Sequence, residues 1–203
     1  MTLRIPTLCL AAALALGAQA AAAQDKKADA KKAADVNVAM CIGCHGIAGY
    51  KTAFPEVFHV PLIAGQNQAY IEAALKAYRA GQRPHPSMRG IAGGLSDEEI
   101  SAYAKYYAGE PAAGNAQAAQ SKIKAAETCA ACHGPDGAKT AAPDQPILAG
   151  QYADYLVKSL KEYKSGKRTN PIMQGFAAQL SVKEMQDLAA WFASQKSSLH
   201  TQR

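Results

Sequence analysis

Apolar residues recur at helical spacing through most of the chain, and they do so twice. Ile71, Ala74, Leu75 and Tyr78 fall on one face of a helix that ends near Gly81, and Leu156, Ser159, Leu160 and Tyr163 repeat that face ahead of Gly166. A second amphipathic run follows each of these. Its start is marked by Ser96-Asp-Glu-Glu99 in one case and Ser181-Val-Lys-Glu184 in the other, capping boxes in which serine and glutamate satisfy backbone donors at a helix start. The buried faces are predicted to be Ile100, Tyr103, Ala104 and Tyr107, and Met185, Leu188, Ala189 and Phe192. An Ala- and Lys-rich segment, 28–40 or 116–128, predicts a short helix ahead of each pair. No strand is signalled, so the expected fold class is all-α.

The recurrence extends to the motifs. Cys41-Ile-Gly-Cys44-His45-Gly46 returns as Cys129-Ala-Ala-Cys132-His133-Gly134, 88 residues later. Pro61-Leu-Ile-Ala-Gly-Gln66 returns as Pro146-Ile-Leu-Ala-Gly-Gln151, 85 residues later, and that offset then holds through Pro86-Ser-Met88 and Pro171-Ile-Met173. One unit is therefore used twice. The expected division is 24–109 and 115–203, joined at 110–114, where Gly and Pro interrupt the helical pattern.

The chain opens with Arg4, an apolar run from Ile5 to Leu16 and small residues up to Ala23, the build of a secretory signal peptide over 1–23. The run is too short to span a bilayer, and no later segment is long and apolar enough to do so. Cys9 lies within the run and follows Leu8, which argues against lipoprotein processing. The mature chain is expected to be exported to the periplasm with no transmembrane segment, and its four cysteines all lie in the two Cys-x-x-Cys-His strings.

Composition sharpens the question of what fills the core. Alanine accounts for 45 residues, while the 180 residues after Ala23 hold only 28 Leu, Ile, Val and Phe. Two small domains would be short of large apolar side chains, and such domains often need a staple. Cys-x-x-Cys-His supplies one: it is the attachment string for c-type haem, with two thiols bonded to the haem vinyl groups and the next imidazole placed at the iron. A thioredoxin-like pair would want a βαβ context, and a zinc site would pair its two Cys-x-x-Cys units across a short loop rather than across 84 residues. Two covalently bound haem c groups are expected, on Cys41 and Cys44 and on Cys129 and Cys132, with His45 and His133 as axial iron ligands.

The second axial ligand should occupy matching positions in both units. Met40 adjoins Cys41, and Met185 lies on the apolar face of the last helix. Met88 and Met173 remain, each two residues after a proline and expected in a loop between helices. His85 is the rival to Met88, but its counterpart is Asn170. His59 and His200 have no counterpart and read as surface imidazoles. A thioether favours ferrous iron and raises the potential, and filling all six iron positions leaves no room for substrate. Electron transfer is thus expected rather than catalysis.

Taken together, the paired haem strings, the Ala-Gly-Gln after each, and Tyr-x-x-Gly-x-Arg ahead of Pro-x-Met resemble the dihaem cytochrome c4 family over about 36–193. The resemblance implies two tandem class I cytochrome c domains packed about a pseudo-twofold axis with their haems near each other, and a periplasmic one-electron carrier serving terminal oxidases. Cytochrome subunits of sulfide-oxidising flavocytochrome c complexes share much of the pattern. A dihaem peroxidase is a further alternative, and it would need an open iron site. Redox proteins such as a membrane oxidase, a quinol-oxidising complex or a flavoprotein are the expected partners, and peripheral membrane association stays open.

Arg83 and Arg168 occupy matching positions and suit bidentate pairing with a haem propionate, the alternative being a solvated basic face. Gln66 and Gln151 are weaker candidates for the same role, and Tyr78 and Tyr163 read as ordinary core. The mature net charge is +5. Lys158, Lys161, Lys164, Lys167 and Arg168 form a stripe suited to steering an acidic partner. No nucleic-acid-reading motif is present.

Overall fold

Among the described residues, each repeat holds four helices. In the first these are α1 (Ala39–His45), α2 (Gln68–Arg79), α3 (Pro86–Gly93) and α4 (Asp97–Tyr107); in the second, α5 (Lys124–His133), α6 (Ala153–Lys164), α7 (Pro171–Ala178) and α8 (Val182–Ala193). The structure, a computed structural model, describes residues 36–109 and 123–202. The signal peptide expected over 1–23 and the joint expected at 110–114 lie outside the described residues.

Local chemistry sets the helix ends where the pattern predicts them. Ser96 Oγ accepts from the Glu99 N–H at 3.2 Å while Glu99 Oε2 accepts from the Ser96 N–H at 2.8 Å, and Ser181 with Glu184 repeats both bonds at 3.2 and 2.8 Å. At the other end, α2 and α6 stop just before Gly81 and Gly166. These adopt φ of +74° and +73°, the left-handed conformation that glycine alone adopts freely. The predicted inner face of α8 is buried throughout, at Met185, Leu188, Ala189 and Phe192, and in α4 Ile100, Ala104 and Tyr107 are buried with Tyr103 partly covered.

The helices expected to run into the cysteine strings are seen from Ala39 and Lys124 onward and include the strings themselves, in α1 and α5; the rest of 28–40 and 116–128 lies largely outside the described residues. Two features depart from the expectation. The methionine segments are helices, α3 and α7, rather than loops. A short antiparallel hairpin is also present, with β1 (Lys51–Thr52) paired to β2 (Phe58–His59). Its two-residue strands are too brief to write an alternating pattern, and the contacts that hold it are tertiary. Phe58 is 5% exposed and packs near His85 and Tyr155, and Lys158 lies over its ring at 4.8 Å.

Each repeat has its own apolar cluster. In the first, Ala64, Ile71, Ala104 and Tyr107 pack with Cys41 and Leu75; in the second, Ala126, Leu156, Leu188, Ala189 and Phe192 pack with Cys129 and Trp191. Between the repeats lies a third cluster of Ala138, Ile147, Ala149 and Leu199, with Leu62 against it.

That seam is reciprocal. Gln66 donates from Nε2 to the Ile147 carbonyl at 3.1 Å and accepts the Ile147 N–H at 2.8 Å; Gln151 donates to the Leu62 carbonyl at 2.9 Å and accepts the Leu62 N–H at 3.0 Å. Leu62 and Ile147 are themselves equivalent, so one two-bond bridge occurs twice. Both glutamine amides are thus engaged across the seam. The chain after α8 then crosses to the first repeat: the Ser198 hydroxyl donates to the Gly65 carbonyl at 3.0 Å and the His200 N–H donates to the Ala64 carbonyl at 3.0 Å.

Gly65 shows how close that crossing is. It has φ of +80°, and a Cβ there would stand 2.2 Å from the Ser198 carbonyl oxygen; at Gly81 the nearest atom would be Arg89 Cζ at 4.0 Å. Both substitutions carry the left-handed penalty of about 1–2 kcal/mol. Gly65→Ala is therefore expected to lower the thermal unfolding temperature of the holoprotein clearly more than Gly81→Ala. Equal losses would show that the crossing yields at no cost.

Candidate haem centres and the arginines between them

On α1, Cys41, Cys44 and His45 are three and four residues apart, a spacing that places both thiols and the imidazole on one side of the helix. Cys129, Cys132 and His133 repeat the arrangement on α5. All four cysteines are free thiols. Cys41 and Cys129 are packed against the two apolar clusters, and burial pushes both thiols above their ordinary pKa.

The histidines are fixed by the chain that follows. His45 Nδ1 lies 2.8 Å from the Pro61 carbonyl and His133 Nδ1 lies 2.9 Å from the Pro146 carbonyl. A carbonyl can only accept, so Nδ1 carries the proton in both rings and Nε2 keeps its lone pair. Burial holds both imidazoles below their ordinary pKa against the opposing pull of the carbonyls, which keeps them neutral. Such a ring is ready to ligate a metal, with the carbonyl setting its tautomer and orientation.

Met88 and Met173 sit in the first turns of α3 and α7. Pro86 and Pro171 open these helices, where a missing N–H costs nothing and the fixed φ suits the first turn. His85 Nδ1 accepts the Met88 N–H at 3.3 Å, and Asn170 Oδ1 accepts the Met173 N–H at 3.0 Å. The mismatch of His85 with Asn170 thus resolves into one role, since both are N-caps. The cap and the proline also explain why these segments are helices and not loops. Arg83 and His85 add a smaller electrostatic depression to the His45 pKa.

The residues present fit a covalently attached haem in each repeat: two free thiols and a neutral imidazole with an open Nε2 share a helix face, beside an apolar cluster in which alanines recur. The Trp191 indole N–H, in the same cluster as Cys129, is buried without an acceptor. Among the described residues, no group of three His, Cys, Asp or Glu side chains could hold a bare metal ion.

Arg83 and Arg168 are not on a solvated face. They are 6% and 7% exposed and meet at the seam. Each guanidinium lies over a tyrosine of its own repeat, Arg83 over Tyr78 and Arg168 over Tyr163, both with Cζ 4.5 Å from the ring centroid. Each also donates to a tyrosine of the other repeat: Arg83 Nη2 to Tyr155, and Arg168 Nη2 to Tyr70 at 3.0 Å. Arg83 Nη1 reaches Tyr70 as well, at 3.4 Å. Tyr78 and Tyr163 are buried, as expected of core residues, and also serve as platforms for the arginines. Tyr70 and Tyr155 were not singled out by the sequence reading, although they match at the constant offset, each as the third residue of its helix.

Two other expectations change. Lys158 is nearly covered, pairing with Glu162, and Arg168 is buried, so the steering stripe reduces to the exposed Lys161, Lys164 and Lys167. His59 is no simple surface imidazole: its Nδ1 meets Asp154 Oδ2 at 2.7 Å and its ring stacks on Tyr152 at 4.5 Å, across the seam. His200 is exposed, as expected.

If His85 is a cap and not a ligand, the Asn of the second repeat should replace it. His85→Asn is expected to leave the oxidised methionine-to-iron charge-transfer band unchanged and the stability nearly so, whereas His85→Ala and Asn170→Ala should each cost about 1 kcal/mol in denaturant titrations. Loss of the band in His85→Asn would make His85 more than a cap.

The cytochrome c family matches residues 117–196. The chain is 32% identical to cytochrome c4 of Pseudomonas aeruginosa, with 78% of this chain and 85% of that protein aligned. It is 34% identical to the thiosulfate dehydrogenase electron acceptor of Stutzerimonas stutzeri, over 90% of this chain and 91% of that one. In three dimensions it resembles the cytochrome c4 structure from Acidithiobacillus ferrooxidans, with a TM-score of 0.62, 31% identity, and coverage of 78% of this chain and 99% of that chain.

Proposed function

The chain belongs to the dihaem cytochrome c4 family, and from that premise we propose that it is an exported one-electron carrier whose haems are held through Cys41 and Cys44 and through Cys129 and Cys132. It is an electron-transfer protein built from two class I cytochrome c domains, and it carries two covalently bound haem c groups. His45 with Met88, and His133 with Met173, are the axial pairs of this reading. The observation that carries it is the matched geometry of the two imidazoles, each neutral, each fixed through Nδ1 by a proline carbonyl, and each leaving Nε2 free.

When bound, each haem supplies a one-electron ferric–ferrous couple. The protein's part is to hold that couple still and to set its level. The Pro61 and Pro146 carbonyls keep the imidazoles in one tautomer and one orientation. The caps at His85 and Asn170, with their prolines, hold the methionine backbones in rigid first turns. A soft, neutral thioether favours the ferrous state and so raises the potential. With both axial positions taken, a peroxidase-like role at either iron is disfavoured.

A terminal oxidase or another respiratory complex is the acceptor of this proposal, reached from the periplasm with Lys161, Lys164 and Lys167 as steering charges. The relative in Stutzerimonas stutzeri, named as an electron acceptor of thiosulfate dehydrogenase, favours a sulfur-compound dehydrogenase as the second reading of the donor. In that role the chain still carries single electrons and only the donor differs. Rapid reduction of the oxidised holoprotein by a thiosulfate dehydrogenase with its substrate would select the second reading.

The ligand assignment has its own test. Met88→His and Met173→His are each expected to abolish the methionine-to-iron band of one haem only and to lower that haem's potential in a spectrally resolved redox titration. Bands that persist in both variants would remove the methionines from the coordination sphere.

A further inference from the structure

The two cysteine-bearing helices are alike, but the aromatic rings packed near their first thiols are not. Tyr107 of α4 shares a cluster with Cys41, and the matching residue of α8, in the cluster of Cys129, is Phe192. The backbone sets both rings at equivalent places: the Gly65 N–H donates to the Tyr107 carbonyl at 2.9 Å, and the Gly150 N–H donates to the Phe192 carbonyl at 2.8 Å. Both side chains are buried, at 2% and 3% exposed. At this position the repeats differ by one hydroxyl.

That hydroxyl is shut off from water and has no hydrogen-bond partner in the structure. Leaving such a group unsatisfied costs about 1–3 kcal/mol, so a core that keeps one holds it ready for an acceptor the bare chain does not present. Burial keeps the phenol above its ordinary pKa, so it retains its proton and remains a donor. Cys41 is the sulfur it faces, since the phenol opposes the rise that burial gives this thiol. A thiol is itself a donor and only a weak acceptor. On attachment of haem the Cys41 S–H adds across a vinyl double bond: the proton goes to carbon, a carbon–sulfur bond forms, and the sulfur keeps its lone pairs with no hydrogen of its own.

Resting on the dihaem reading above, we infer that Tyr107 donates a hydrogen bond to the thioether sulfur of Cys41, and that this bond, which Phe192 denies to Cys129, sets the first haem apart from the second.

Two further observations support a defined bond over loose packing. The ring is braced, with Tyr106 packed edge-on against it at a centroid distance of 4.9 Å. Its backbone is tied to Gly65, in the same string whose Pro61 carbonyl orients His45, so one segment holds both the phenol and the imidazole of the repeat. In the second repeat the Cys129 sulfur instead donates to the Ala125 carbonyl at 3.4 Å, a bond that ends when its proton moves to the vinyl carbon. Hydrogen bonds around a haem are one of the levers that set its potential. A donor on the thioether sulfur draws electron density away from the porphyrin and so favours the ferrous state of the first haem.

Tyr107→Phe copies the residue that the second repeat already accommodates. In a spectrally resolved redox titration it is expected to weaken the ferrous preference of the first haem by about threefold, or about 28 mV at 59 mV per tenfold change, and to leave the second haem where it was. Met88→His serves to mark which spectrum belongs to the first haem. A change in the second haem of equal size, or no change in either, overturns the inference. Mass measurement of the unmodified protein separates this from the reading beneath it. Two attached haems with unmoved potentials overturn the tyrosine bond alone, whereas a chain carrying fewer than two haems overturns the dihaem reading and this inference with it.

A vibrational readout distinguishes a hydrogen bond from a merely structural role. After full exchange into heavy water, the resonance Raman carbon–sulfur stretching bands of the unmodified holoprotein should show a shift at one thioether, and the shift should be absent in Tyr107→Phe. A shift that survives in Tyr107→Phe, or none in the unmodified protein, would show that the hydroxyl does not reach the sulfur.

Discussion

The six-residue strings from Pro61 to Gln66 and from Pro146 to Gln151 carry the constraint on which the rest depends. The first residue of each offers the carbonyl that orients the histidine of its own repeat. The second of each, Leu62 or Ile147, pairs its backbone with the glutamine that ends the other string. A displacement of one string would therefore disturb the imidazole of its own repeat and the contact with the other repeat at once. The orientation of the two imidazoles and the association of the repeats are thus set by the same few backbone groups, and neither can drift independently.

The scarcity of large apolar residues follows from that arrangement. The apolar clusters are small, and alanines recur in them: Ala64 and Ala104 in one, Ala126 and Ala189 in the other. Small residues allow helices and strings to approach closely, as Gly65 does where the chain crosses it. They leave each repeat dependent on its covalent cofactor for bulk. The thiols of Cys41 and Cys129 already pack against these clusters, so the cofactor's attachment points belong to the core itself.

Much of this was legible in the sequence because the unit is written twice. The capping boxes at Ser96 and Ser181, the glycine stops at Gly81 and Gly166 and the inner face of α8 are local features, and local features survive into the fold. The cysteine strings and the methionines stood out because their spacing recurs. What could not be read is what depends on the meeting of two distant segments. Gln66 and Gln151 look like generic polar residues until each finds the other's backbone. Arg83 and Arg168 look like surface charges until docking encloses them. Phe58 and His59 pack against Tyr155 and Asp154 of α6 and against Tyr152 at its N-cap, contacts that no local pattern announces. His85 looked like a rival ligand because imidazole and carboxamide differ as chemistry, although as helix caps they do the same work.

The crossing of the chain beyond α8 onto Ala64 and Gly65 has a wider consequence. In the first repeat this site takes hydrogen bonds with Ser198 and His200, whereas Gly150 in the second is closed in by Gln195 and Ser197 of the same repeat. The twofold relation, so faithful at the glutamine bridges and the arginines, fails here. A molecule built from two copies of one unit thus acquires a polarity, and two strings alike in sequence come to lie in unequal surroundings.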